Sequence, residues 1–111
     1  MDKVTRYRQL IQQVLEATAR ELSQGNQAVL LPACDPRNDQ YLLVTLGWIN
    51  RRREHDICFH ARLLGDQVHI EIDLTEEGLT DELIAAGIAE ADIHHAWISP
   101  ARAREVMAVA A

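Results

Sequence analysis

Aromatic side chains make up 5% of this 111-residue chain, and cysteine (two), proline (three) and glycine (five) are also sparse. The two thiols, Cys34 and Cys58, stand alone with no CxxC spacing, so the sequence carries no zinc-finger or dithiol redox motif. They read as reduced, largely buried thiols. No glycine-rich phosphate loop is present, and no GxSxG elbow, which removes the common nucleotide-binding and hydrolase signatures. No apolar run approaches the ~18 residues of a membrane-spanning helix. The opening Met1-Asp2-Lys3-Val4-Thr5-Arg6 lacks the apolar core of an export signal, so the expected location is the cytoplasm. A net basic charge is missing too. The formal charge is −6 and the pI about 5.2, which speaks against non-specific nucleic-acid binding, where phosphate neutralisation dominates affinity.

What the chain does have is 48% hydrophobic composition, enough for one globular domain spanning residues 1–111. At this length about two thirds of the unfolded surface can be buried, so neither disulfide nor metal is needed for folding. Charge is divided unevenly. Up to Leu63 there are nine basic and seven acidic residues; from Leu64 onward there are two and ten, a local charge of −8. Such a half would favour a basic protein partner by steering and complementarity, the alternative being that the charge only keeps a small protein soluble.

Apolar residues Val4, Tyr7, Ile11, Val14, Leu15 and Leu22 recur at helical spacing and predict a helix over 3–23, stopped by Ser23-Gln24-Gly25-Asn26. Residues 28–34 predict a strand that Pro32 marks as an edge strand or a bulge, followed by a turn at 35–39. Tyr41 to Ile49 is the strongest strand, apolar on both faces, with Leu42, Val44, Leu46 and Trp48 on one and Tyr41 and Leu43 on the other. A hairpin follows, with Gly65-Asp66 as its two-residue turn. Alternation places Ile57, Phe59, Ala61 and Leu63 inward against Val68, Ile70, Ile72 and Leu74. The implied register pairs Leu63 with Val68, Ala61 with Ile70 and Phe59 with Ile72. On the polar face Arg62 meets His69, His60 meets Glu71 and Cys58 meets Asp73.

Thr75 is the expected cap of a second helix that Gly87 ends, with Ile88 folding back on it. Residues 93–98 predict a short strand whose His94 and His95 point to opposite faces. Ser99-Pro100 opens a C-terminal helix. The order predicts an α+β fold: an antiparallel sheet of four to five strands with helices packed on one face.

Three constellations could carry chemistry. Cys58, His60, His69, Glu71 and Asp73 are metal-ligand types on adjacent strands, but they spread along the hairpin, and cross-strand polar pairing is the plainer explanation. Arg51, Arg52 and Arg53, read as a loop, could meet phosphate, and the flanking Trp48 and His55 could stack on a base; Glu54 and Asp56 next to them favour a merely solvated loop. Neither thiol sits in a nucleophile motif. The expectation is a protein without catalytic residues, cofactor or metal.

A family resemblance goes further. Met1-Asp2-Lys3, Tyr7-Arg8-Gln9-Leu10-Ile11, Tyr41 with Leu43, Gly47-Trp48, Arg52-Arg53, His60, Ile70, Asp73, Thr75-Glu76 and Gly78 follow one another as in XisI proteins. Glu82-Leu83, Gly87-Ile88, Asp92-Ile93 and Ser99-Pro100 complete the series. His69 and Ile98 depart from it, standing where the family often has tryptophan and histidine. The resemblance implies a controlling factor for excision of a genomic element, acting beside an XisH-type protein of nuclease-like fold and a separate recombinase. Among the residues themselves, Trp48, Arg51, Arg52, Arg53, His60, Glu71, Asp73 and Glu76 are the candidate contacts with a partner or nucleic acid. Direct DNA binding through Arg51–Arg53 is the competing expectation. The doubly apolar strand 41–49 adds the expectation of a homodimer.

Overall fold

Asp2, which the apolar spacing does not single out as a cap, caps the first helix, its carboxylate accepting the Thr5 N–H at 2.7 Å. The structure, a computed structural model, describes residues 1–23 and 27–99. Helix α1 (Lys3–Leu22) buries Tyr7, Ile11, Leu15 and Ala19, one residue per turn on a single stripe. Leu22, expected in that stripe, is exposed. Gly25 lies outside the described residues.

The strands are β1 (Ala28–Asp35), β2 (Gln40–Ile49), β3 (Arg52–Leu64), β4 (Gln67–Asp73) and β5 (Ile93–His95), arranged in that order across one sheet. β1 is an edge strand, as Pro32 requires. The first four strands run antiparallel, whereas β5 pairs parallel to β4, so the sheet is mixed rather than antiparallel throughout. A parallel return needs a crossover, and helix α2 (Thr80–Ala86) with the 3-10 turn Glu90–Asp92 supplies it.

One sheet face lies against the helices. Tyr41, Leu43, Phe59, Ala61, Leu63, Val68 and Ile70 meet Tyr7, Ile11 and Leu15 of α1 and Leu83 and Ile88 around α2, forming the core. Burying each larger side chain contributes about 1.5–3 kcal/mol. Gly87 ends α2 with φ 126°, and the Ile88 N–H bonds the Leu83 carbonyl at 3.1 Å while its side chain is buried, as the sequence predicts.

Four expectations need correction. The hairpin register holds for Leu63–Val68, Arg62–His69 and Ala61–Ile70, then slips: His60 pairs with Ile72 and Phe59 with Asp73. Glu71 is the extra residue of a bulge, so the pairings His60–Glu71, Phe59–Ile72 and Cys58–Asp73 do not form. A second bulge in β3 leaves Cys58 unpaired, with Leu43 opposite Phe59 but Val44 opposite Ile57. Both bulges reverse the alternation, and Ile57 and Ile72, expected inward, turn to the other face with 42% and 40% exposure; Leu74 is exposed as well. Helix α2 begins at Thr80 rather than after Thr75, because Asp73 holds residues 74–79 as a loop. Arg52 and Arg53 belong to β3, not to a loop. The predicted C-terminal helix falls outside the described residues. Among those described, no helix is long and apolar enough to cross a membrane.

Candidate functional site

Asn50 and Arg51 connect β2 to β3 with φ of 49° and 68°, the positive pair that a two-residue I′ hairpin turn demands. The Asn50 N–H donates to Gln27 Oε1 at 2.9 Å, tying the turn to the start of β1. Past it, Trp48 and Arg53 face each other across the strands, with the guanidinium 5.9 Å from the ring centroid. Arg53 also donates to the Gly47 carbonyl, and Arg52 pairs with Glu54 at 3.4 Å. Trp48, Arg51, Arg52 and Arg53 thus gather at one exposed hairpin tip.

His60 and Glu71 lie elsewhere. His60, half-buried on the helix-free face, shares a 2.8 Å hydrogen bond with Gln40 Oε1. Glu71, the bulge residue, meets Arg62 at 3.4 Å. His69 stacks on His94 at 5.1 Å, and burial, then the neighbouring His94, hold its imidazole below the ordinary value. His95 points the other way, to Thr80 Oγ1 at 2.9 Å. Among the described residues no three His, Cys, Asp or Glu side chains converge as a metal site would need. Burial pushes both thiols, Cys34 and Cys58, above their usual value, leaving them poor nucleophiles.

The helix-free face carries cross-strand rows of apolar side chains: Leu31–Val44–Ile57, Val29–Leu46 beside His55, and Leu42–His60–Ile72.

Asp73 is taken up locally. Its Oδ1 accepts the Thr75 N–H and hydroxyl, and its Oδ2 accepts the Leu79 N–H at 2.7 Å. Beside that loop, Glu76 reaches the rim of a groove of about 610 Å3 between α1 and α2. Val14, Ala17, Leu79 and Ala86 supply apolar lining, and Glu21, Glu77 and Glu82 join Glu76 around it. These four carboxylates have no ion-pair partner among the described residues. From Leu64 to Ser99 the chain holds nine Asp and Glu and no Lys or Arg.

Sequence reasoning named Glu76 and missed the other three. The signal was available for Glu21, which shares a helical row with Gln13 and Ala17 at four-residue steps. Glu77 and Glu82 belong to two elements whose approach no local pattern shows.

A family model described as XisI protein matches residues 1–111. A crystal structure of an XisI-like protein from Anabaena variabilis has a TM-score of 0.78 at 18% identity, covering 89% of this chain and 91% of that one. The crystal structure of the fdxN element excision controlling factor XisI, also from Anabaena variabilis, has a TM-score of 0.71 at 28% identity. It covers 91% of this chain and 98% of its own. No curated protein matches.

Proposed function

Because the chain belongs to the XisI family, we propose that it is a non-enzymatic controlling factor for programmed excision of a DNA element, acting by association with an XisH-type protein. The similarity to the fdxN element excision controlling factor XisI supports the process. The observation that carries the mode of action is the α1–α2 groove, with apolar lining and a rim of four carboxylates that hold no ion pair among the described residues. Such a surface is complementary to a basic, partly apolar segment of another protein. Holding a nuclease-like partner by that segment would restrain it, as an antitoxin restrains its toxin. The protein acts in the cytoplasm and as a homodimer.

Co-expression with the XisH-type protein, followed by size-exclusion chromatography with light scattering, tests this. A stable complex at micromolar concentration in low salt is the expected result. Two separate peaks would sink it.

A second reading has its own observation. Arg51, Arg52 and Arg53 and the Trp48 ring share an exposed tip, a combination suited to phosphate and base contact. On the partner-binding reading, a gel shift with element-end DNA shows no band even at low salt. A shift that disappears steeply with salt would transfer the function to this tip.

A further inference from the structure

We infer that the helix-free face of the sheet, formed by β1, β2, β3 and the Ile72 end of β4, packs against the same face of a second copy of this chain. The inference deepens the homodimer clause above by assigning its surface.

On this face Val29, Leu31, Ile57 and Ile72 are each 40% or more exposed, and Trp48 is 58% exposed. Leu42, Val44 and Leu46 lie half-buried among them. The exposure follows from the sequence: β2 is apolar on both faces, and the two bulges turn Ile57 and Ile72 away from the core to join it. One side of β2 is sealed by α1; among the described residues nothing covers the other. Large contiguous apolar patches are uncommon on monomers and mark interfaces.

The area suits a dimer. Three strands about 4.8 Å apart, with about eight residues each at 3.3 Å per residue, and the end of a fourth give a flat footprint of roughly 400 Å2. Side-chain relief raises the accessible area towards the ~800 Å2 that each partner of a stable interface buries. Two such faces would stack about 10 Å apart with strands nearly aligned, as paired sheets do. The Leu31–Val44–Ile57 row, apolar on all three strands, is the centre that a two-fold axis would cross.

Charge selects the occupant. The chain is acidic overall, and copies repel where carboxylates cluster, around the α1–α2 groove. The three rows on this face contain no carboxylate; their only titratable groups are His55 and His60. Glu71 at the margin is paired with Arg62, and Arg53 with the Trp48 ring. A second copy therefore meets apolar rows without a carboxylate, the marginal Glu71 being offset by Arg62, while the basic partner is drawn to the groove.

Sedimentation of the full chain across the micromolar range should give twice the 12.5 kDa chain mass. Leu31→Asp and Ile57→Asp, both at exposed positions where folding tolerates the change, should weaken the dimer by roughly a hundredfold or more. Their far-UV circular dichroism should stay native. Trp97→Asp, equally exposed but packed on His95 away from this face, should leave the dimer intact. A wild type that is monomeric throughout overturns the inference, and so does a dimer that survives both face variants. If the wild type is a monomer and Ile57→Asp instead abolishes capture of the XisH-type protein, the face belongs to that partner and the second copy is excluded. Capture of the partner by wild type, read separately, judges the functional proposal whatever the outcome for the dimer.

Discussion

Asp92 accepts hydrogen bonds from three different parts of the chain. Its Oδ2 takes the Lys3 ammonium and the Tyr7 hydroxyl, each at 2.6 Å, and its Oδ1 takes the Gln67 amide at 3.0 Å. Tyr7 in turn accepts the Ala89 N–H. The Lys3 bond, then those from Tyr7 and Gln67, lower the carboxyl to about 2. A carboxylate depressed in the folded state stabilises fully above its unfolded value, near 3.9, and loses that contribution as pH falls towards the folded value. Asp92→Asn keeps the shape but sets an amide N–H against donors. Its melting temperature should fall well below wild type at pH 6, and the gap should narrow between pH 4 and about 2. A gap constant with pH would mean that shape rather than charge is what the network needs. Asp92 and Tyr7 both stand in the family series, but their contact was not legible there, since they are 85 positions apart and only the folded chain joins them.

Elements were legible where their signal is local. The Gly87 stop of α2 and the Gly65-Asp66 turn could be read directly, whereas the expected Thr75 cap was not where α2 begins. The register next to that turn is the one observed, because a two-residue turn dictates the first pairs. Farther along the hairpin the alternating pattern continued through Ile57 and Ile72, yet the strands bulge at Cys58 and Glu71. A bulge changes phase without changing composition, so period-two reasoning runs through it. The Asn50-Arg51 turn was missed for a related reason: arginine at φ 68° replaces the glycine that marks such turns. Arg51→Gly should therefore stabilise the protein by about 1 kcal/mol, the scale of the left-handed penalty for a side chain. An increased urea midpoint at unchanged slope is the readout. Asp73→Ala should act in the opposite direction, by about 1–2 kcal/mol, since it removes the acceptor for two backbone N–H groups that hold the loop before α2. If Asp73 served only as a partner contact, its loss would leave the midpoint where it was.

At the scale of the whole molecule, the acidic half foreseen from composition gathers in part around one groove, while three arginines collect at a hairpin tip whose residues do not line it. Separation of the two makes the functional readings experimentally divisible. Neutralising Glu76, Glu77 and Glu82 together to glutamine removes three charges and little volume. It should slow association with an XisH-type protein by roughly tenfold or more and flatten its dependence on salt, because long-range steering is what rim carboxylates supply. Melting should change little, as these side chains hold no ion pair among the described residues. Arg52→Ala with Arg53→Ala should leave the same association unaltered. Should the arginine variant lose the partner while the glutamine variant keeps it, the contact lies at the hairpin tip. The acidity of the groove would then reflect solubility, and recognition would run through guanidinium groups and the Trp48 ring.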